Sequence, residues 1–380
     1  MEPVLIIGGG VGGLGAALAL TKAGYDAAVY EAHPRTGEDI GAFLTLASNG
    51  MRALAAVDAA EPVAAAGFEL TELAALDADG TERGVVPLSG HADPLTRFRC
   101  LRRAELCEVL RAEVARRGIA VHHGKRLTGL AEDADGVTAV FADGTTARGA
   151  LLVAADGLNS AARTLLDAGA PPPRYAGQRV YYGYTPGLRP RPANGPRITM
   201  IAGSAAAFGF AVSPAGDTYW FARVSGDAPA ADTGEPLAPI LEPLLRPDAT
   251  PAADLVAAAT SLMATNAYDL PEVPRWRTAR TLLLGDAAHA ASPATGQGAS
   301  MALEDAIVLA KSLRAEPIPT ALATYERIRR PRVTHNITTS ARLTSAKPTP
   351  HHQPRPRPNF RGEDPAVLAL LNWHTELPPS

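Results

Sequence analysis

Val4-Leu5-Ile6-Ile7-Gly8-Gly9-Gly10-Val11-Gly12-Gly13-Leu14-Gly15 stands near the start of the 380-residue sequence, and its reading decides the fold class. Four apolar residues fit a buried strand, the glycines fit a tight turn, and the text through Ala23 reads as a helix. Within it, Gly8-x-Gly10-x-x-Gly13 fits the dinucleotide fingerprint. The glycines permit the turn, a close backbone approach to a pyrophosphate, and close packing of helix on strand. Residues 27–30 form a second apolar run that ends in Glu31, about twenty residues further on, where a carboxylate can hold ribose hydroxyls. A glycine-rich turn in some other α/β protein would leave that second strand and its acid unexplained.

A second segment lies far down the chain: Leu284-Gly285-Asp286-Ala287-Ala288-His289, continuing to Pro293 and Gly296-Gln297-Gly298. Residues 280–284 fit a short buried strand, so Gly285-Asp286 stand at its C-terminal end, the edge where open α/β sheets bind ligands. An Asp placed there accepts hydrogen bonds from sugar or polyol hydroxyls. Pro293, Gly296 and Gly298 let backbone approach a flat ligand closely, and helical text from Gly298 through Ala299 aims unpaired N–H groups back at the loop. That positive end suits a ligand that gains negative charge along one edge, as reduced flavin does. NAD(P) and FAD both use the N-terminal unit, but FAD is longer and its ribityl chain needs this second anchor.

Together with Asp156-Gly157-x-x-Ser160-x-x-Arg163 and Leu101-Arg102-Arg103-Ala104-Glu105-Leu106, these segments resemble those of the class A, single-component flavoprotein monooxygenases, the p-hydroxybenzoate hydroxylase-like group. The likeness covers roughly residues 1–340. It implies an α/β fold: a Rossmann-like FAD-binding domain of the ββα dinucleotide-binding type, with a parallel central sheet, interleaved with an antiparallel-sheet substrate domain and followed by C-terminal helices. The implied FAD-binding domain is discontinuous (1–70, 97–174 and 265–345), the substrate domain comprises 71–96 and 175–264, and 346–380 form a tail. Noncovalent FAD is expected at Gly8, Gly10, Gly12, Gly13, Glu31, Arg103, Asp156, Asp286, Pro293, Gly296, Gln297, Gly298 and Ala299. The family's chemistry implies NAD(P)H as co-substrate, O2, and an aromatic or polyketide- or alkaloid-like small molecule hydroxylated through a flavin C(4a)-hydroperoxide.

In the family the Asp156 motif is linked to both FAD and NAD(P)H, whereas an isolated Asp-Gly after a strand is an ordinary turn. No second glycine fingerprint for a nicotinamide domain is present. Ser300 and Met301 replace the family's common Asn and Gln, which leaves the backbone to contact the flavin edge. Ala154 replaces a common Gly.

Between the motifs, Ser48 is expected to cap a helix through residue 56. Residues 71–76 and 81–86 flank the hairpin signal Asp77-Ala78-Asp79-Gly80. Residues 103–117 read as an amphipathic helix, a meander turns at 133–136 and 142–144, and 151–155 is a core strand. Aromatics concentrate between 175 and 264, several alternating with small or polar residues as half-buried strands do. Tyr184, Met200, Phe210 and Trp220 are the candidate substrate wall, although a one-residue shift would turn any of them to the other face. Residues 37–41 read as a loop and 188–196 as a connection or lid. Beyond 346 the text is Pro-, His- and Arg-rich before a short apolar run at 367–373.

The net charge of −3 argues against a nucleic-acid partner. Cys100 and Cys107 make neither a disulfide framework nor a zinc site and read as small buried hydrophobes. No metal-ligand spacing is present, and no side chain stands out as the catalytic base. His289 reads as a structural or capping residue, and His122, His123, His351 and His352 receive no role. Without a charged leader or a membrane-spanning apolar stretch, a cytoplasmic monomer or homodimer is expected. Two further readings stay open here: a Baeyer–Villiger oxygenase or epoxidase on the same scaffold, and a flavin-binding protein that sequesters a reactive intermediate without turnover.

Overall fold

The computed structural model describes residues 2–34, 42–88, 93–188, 190, 196–231, 233–345 and 364–378. The expected loop at 37–41, residues 189 and 191–195 of the expected lid, and residues 346–363 of the tail lie outside them.

The apolar run Val4–Ile7 is a fully buried strand, and Val11–Lys22 is the helix that follows its glycine turn. Strand and helix meet backbone to backbone. A Cβ on Gly13 would lie 1.9 Å from the Gly8 carbonyl oxygen, and Gly8 itself takes a φ of +106° against the Ala155 carbonyl. Only glycine fits at either position. The strand sits inside a five-stranded parallel sheet ordered Thr281–Leu283, Leu151–Ala154, Val4–Ile7, Ala27–Tyr30, Ala120–His122. Strand order reverses on either side of Val4–Ile7, so the crevice at its C-terminal end is the sheet's ligand-binding position. Glu31, Asp156 and Gly285-Asp286 all follow strands that end on that edge.

Helix Gly298–Ala315 packs across Val11–Lys22, where a Cβ on Gly15 would stand 2.8 Å from Leu303 Cδ2. The long helix Ile318–Ser345 lies behind it. Residues 127–149 form the expected meander, with strands Leu127–Glu132, Val137–Phe141 and Thr146–Gly149. A small sheet unseen in the sequence pairs Phe43–Leu46 and Phe68–Glu69 with Arg99–Arg102. Ser48 does not cap its helix: Ser48–Ala56 begins after Ala47, and Ser48 is buried inside the first turn.

The other large layer is a seven-stranded sheet ordered Ser261–Asp269, Arg174–Thr185, Thr218–Ser225, Ala206–Val212, Arg197–Ala202, Glu72–Asp77, Glu82–Pro87. It is mixed rather than purely antiparallel, because Arg197–Ala202 runs parallel to Glu72–Asp77. Those two strands come from distant segments, so no hairpin fixes their relative direction.

The sheet's two faces correct part of the expected substrate wall. Phe210 and Trp220 belong to the sealed face, with Tyr181 and Phe208, beneath helices Ala238–Leu245 and Ala252–Ala257. Trp220 is fully buried, stacks on Phe208 at 5.5 Å, and donates its indole N–H to Thr185 Oγ1 at 3.0 Å. Tyr184 and Met200 lie on the opposite face, with Tyr182, Tyr219 and Phe221. Tyr219-Trp220-Phe221 places aromatics at both parities of one strand, so composition could not say which parity faces inward.

Past residues 346–363, helix Pro365–Leu371 docks back onto the parallel-sheet layer. Lys311 Nζ donates to the carbonyls of Leu370 at 2.9 Å and Asn372 at 2.7 Å, satisfying groups that a helix C-terminus leaves open. Trp373 lies under Lys22 and Arg314, whose cationic groups stand 5.3 and 4.9 Å from its ring centre. Among the described residues no helix is long and apolar enough to cross a membrane.

Candidate functional site

A cleft of about 320 Å³ opens at the C-terminal edge of the parallel sheet, bordered by Gly8, Gly10, Glu31, Arg103 and Asp156. The glycines of the fingerprint divide by what they serve. Gly8 and Gly13 are demanded by the protein's own packing, and Gly12 faces Leu284 and Ala302. A Cβ on Gly10 would meet nothing within 4 Å. That glycine keeps clear a space the fold does not fill. Glu31 closes one side: Oε2 accepts the Gly9 N–H at 2.5 Å and Oε1 the His33 N–H at 2.7 Å, which orients the carboxylate and leaves each oxygen a lone pair.

Asp156 forms the cleft's inner wall. Burial pushes its carboxyl up from the usual range, against hydrogen bonds from Ser160 and the Ala162 N–H. Its Oδ1 is buried without a partner, which marks a missing donor. The rest of that motif is structural. Ser160 Oγ accepts the Arg163 N–H and caps helix Ala161–Leu166. Buried Arg163 donates to the carbonyls of Leu158 and Ala287, tying this motif to the one at 285.

At that second motif, Gly285 takes a φ of +62° and donates its N–H to Asp305 Oδ2 at 3.0 Å. Asp286 is exposed, and a Cβ on Gly298 would be 4.0 Å from its Oδ1, so the carboxylate faces the start of helix Gly298–Ala315. Pro293, Gly296 and Gly298 are exposed there too. The Gln297 and Ser300 side chains turn inward: Gln297 Oε1 accepts from Asn49 Nδ2 at 3.0 Å, and Ser300 Oγ accepts the Ala47 N–H at 3.1 Å. Only backbone and Ala299 are left facing outward at this helix end.

Beneath the loop lies a charged network that the sequence did not disclose. Asp305 sits between His289 Nε2 at 2.6 Å and Arg329 Nε at 2.6 Å, and Arg329 also donates to Glu304 at 2.5 Å. Arg332 and Asn49 complete the contacts of Glu304. Burial alone would push Asp305 up and Arg329 down. The facing opposite charges outweigh it, holding Asp305 well below the carboxylate range and Arg329 above its ordinary value. Removing one member would strand a buried charge, at a cost of about 3–5 kcal/mol. The network thus fixes the loop of 285–298 from below. Its only sequence signal is the pair Glu304-Asp305 interrupting an otherwise apolar helix.

The other candidate wall is the open face of the seven-stranded sheet. Tyr182, Tyr184, Met200, Tyr219 and Phe221 are half-buried there, and Phe43 bridges to them with ring-centre distances of 6.4 Å to Tyr182 and 6.1 Å to Phe221. Arg102 lies 4.4 Å over the Tyr184 ring. Burial pushes the Tyr182 phenol up to about 12, partly offset by Arg223.

Arg111, Lys125 and Arg126, which the sequence does not single out, also line the cleft, as do His123, expected to have no role, and Cys107, which is only half-buried. Cys107 is therefore not the buried hydrophobe expected, whereas Cys100 is fully buried and its thiol is pushed up by burial. His289 is buried and hydrogen-bonded to Asp305 within the network.

Against known proteins, residues 1–340 match the family described as FAD binding domain. The chain is 33% identical to the aurachin C monooxygenase/isomerase of Stigmatella aurantiaca, over 90% of this chain and 88% of the relative. It is also 33% identical to a FAD-dependent urate hydroxylase of Klebsiella pneumoniae, over 87% and 86%. The crystal structure of Klebsiella pneumoniae HpxO complexed with FAD and uric acid superposes with a TM-score of 0.81 at 30% identity, covering 98% of this chain and 93% of that one.

Proposed function

Because this chain belongs to the FAD binding domain family of class A aromatic hydroxylases, we propose that it is a monooxygenase using FAD, NAD(P)H and O2 to hydroxylate an aromatic or natural-product small molecule. In this reading the Gly8–Gly13 turn takes the pyrophosphate, Glu31 the ribose, and Arg103 and Asp156 flank the cleft. Asp286 takes the ribityl hydroxyls, and Pro293, Gly296, Gln297, Gly298 and Ala299 border the ring. Bound FAD would supply the redox chemistry and activate O2, while the protein supplies orientation, electrostatics and exclusion of water. The N–H groups at the start of helix Gly298–Ala315 stabilise negative charge on the ring edge beside them. The half-buried aromatic face of Tyr182, Tyr184, Tyr219 and Phe221 forms the apolar wall that a small-molecule pocket needs.

The observation that carries this reading is the empty volume above Gly10 next to the unpartnered Asp156 Oδ1. Gly10→Val is expected to fold normally and to lose FAD by steric exclusion, whereas Asp286→Ala retains FAD weakly, losing about 1.5–3 kcal/mol of binding. Flavin content after purification, with circular dichroism as the folding control, checks both. Normal FAD occupancy in the valine variant overturns the assignment. Turnover is tested by aromatic-stimulated NAD(P)H oxidation with matching O2 uptake; a FAD-loaded protein that oxidises no NAD(P)H with any aromatic would instead mark a flavin-binding protein without turnover.

A further inference from the structure

Two adjacent carboxylates of helix Gly298–Ala315 hold the two ends of the loop that runs from Gly285 to Gly298. At the near end, Asp305 Oδ2 accepts the Gly285 N–H at 3.0 Å and meets His289 Nε2 at 2.6 Å. Gly285 takes a φ of +62° and directly precedes Asp286, so this bond fixes the backbone from which the Asp286 carboxylate projects. At the far end, Glu304 Oε1 accepts from Asn49 Nδ2 at 2.7 Å, and the same nitrogen donates to Gln297 Oε1 at 3.0 Å. Gln297 is the residue from which the helix starts, and the Met301 N–H bonds back to its carbonyl at 2.8 Å. The N–H groups of Gly298, Ala299 and Ser300 stand before that bond, with no acceptor inside the helix. Arg329 ties the two ends together. Its Nε donates to Asp305, one terminal nitrogen to Glu304, and the other to the Met301 carbonyl at 3.1 Å. Glu304, Asp305 and Arg329 are all fully buried.

Charge balance explains why two carboxylates face Arg329 and Arg332. It does not explain the donors on their other sides, the Gly285 N–H for one and Asn49 for the other. We propose that Asp305 and Glu304 are positioning residues with separate tasks toward FAD. Asp305 sets the anchor for the ribityl hydroxyls. Glu304, through Asn49 and Gln297, sets the N–H groups beside the ring edge, and Arg329 fixes one end relative to the other. The tasks differ chemically. Reduction leaves the ribityl chain unchanged, so its anchor holds both oxidation states alike. The ring edge gains negative charge on reduction, so N–H groups aimed at it favour the reduced state. This rests on the FAD assignment above and divides its site into an affinity end and a potential end.

Protein stripped of flavin is titrated with FAD, and the midpoint potential of the bound flavin is measured by dye equilibration, in wild type, Asp305→Asn and Glu304→Gln. Each amide is isosteric and leaves Arg329 one carboxylate, but it turns an N–H toward a donor. Asp305→Asn is expected to weaken FAD binding about tenfold or more, the worth of one hydrogen bond to a charged group, with the potential unchanged. Glu304→Gln should leave the affinity for oxidised FAD unchanged and lower the potential, because the reduced ring loses N–H groups. Two milder substitutions leave every charge paired: Asn49→Ala should copy Glu304→Gln, and His289→Leu should copy Asp305→Asn in weaker form. These decide the outcome where circular dichroism shows that a carboxylate variant does not fold. Affinity and potential that move together in every variant would mean that the network only holds the fold, and would overturn the proposal. So would a Glu304→Gln that weakens FAD as much as Asp305→Asn does. A wild type that takes up no FAD would strike the cofactor assignment instead.

Discussion

On one face of the seven-stranded sheet, Phe208, Phe210 and Trp220 lie sealed beneath two short helices; on the other, Tyr182, Tyr219 and Phe221 keep part of their surface accessible. The residue types are nearly the same. The difference lies in what covers them. Helices Ala238–Leu245 and Ala252–Ala257 bring Leu241, Leu245, Leu255 and Val256 onto the sealed face, so its aromatics interlock. The open face is spanned by Phe43 and flanked by Arg102 and Arg223. An aromatic cluster is therefore core or pocket according to its neighbours, and substitutions on the two faces should fail in different ways.

The largest effect is expected from Trp220→Ala, which empties an indole-sized volume and removes the indole N–H from the Thr185 hydroxyl, leaving that hydroxyl its bond to the Leu255 carbonyl. It should cost about 3–5 kcal/mol in urea denaturation, while the folded protein keeps its FAD and its substrate preference. A small cost accompanied by an altered preference would break the distinction between the faces.

Two glycines sharpen it. A Cβ on Gly183 would fall 2.1 Å from Trp220 Cζ2, inside the sealed layer, whereas a Cβ on Gly209 would fall 2.5 Å from the Phe221 ring and 2.9 Å from Met200 Sδ. Gly183→Ala should destabilise by about 1–3 kcal/mol, because the indole has nowhere to go. Gly209→Ala pushes on side chains that border free space. It should cost less than about 1 kcal/mol and reorder which aromatics accelerate NAD(P)H oxidation. Parallel thermal melts and substrate panels decide between them, and equal destabilisation would show that the open face is packed as tightly as the sealed one.

The smallest effect is that of Tyr182→Phe near neutral pH, where the phenol is protonated in both folded and unfolded chains. Burial raises the folded value to about 12, whereas the unfolded side chain ionises near ~10. Between those values the native state holds a proton that the unfolded state releases. The stabilisation is thus complete below about pH 10 and lost as pH rises toward 12. The phenylalanine variant should show a shallower decline of stability in that alkaline window. An unchanged slope would place the Tyr182 hydroxyl in contact with water.

Much of the parallel layer was legible because its signals are local. Gly8, Gly10 and Gly13 sit at fixed spacing after an apolar run, Glu31 follows a strand directly, and Asp286 follows another within three residues. What stayed hidden depends on partners remote in sequence. The buried network assembles Asn49, His289, Glu304, Asp305 and Arg329 from four separate elements, and no spacing encodes such a meeting. The register of the sheet was ambiguous for another reason. Strand Thr218–Ser225 carries large side chains at consecutive positions, so the two-residue period that normally marks the inward face is absent. On that account the expected face is the wrong one for Trp220, and with it for its register partner Phe210 on the neighbouring strand. The parallel pairing of Arg197–Ala202 with Glu72–Asp77 likewise leaves no local trace.

Lys311 has a consequence for how the molecule is made. Its ammonium is buried beneath the docked segment Pro365–Leu371 and is pushed down to about 8, chiefly by burial and also by Arg314. The carbonyls that receive it belong to Leu370 and Asn372, and the ring that Lys22 covers belongs to Trp373. A chain emerging from the ribosome completes its first strand–turn–helix unit early, yet helix Gly298–Ala315 then waits with a bare cation on a surface meant to be inside. The patch of core that Val367, Leu370, Leu371 and Trp373 cover stays open until residue 373 has left the exit tunnel, the kind of half-finished apolar surface on which chaperones act.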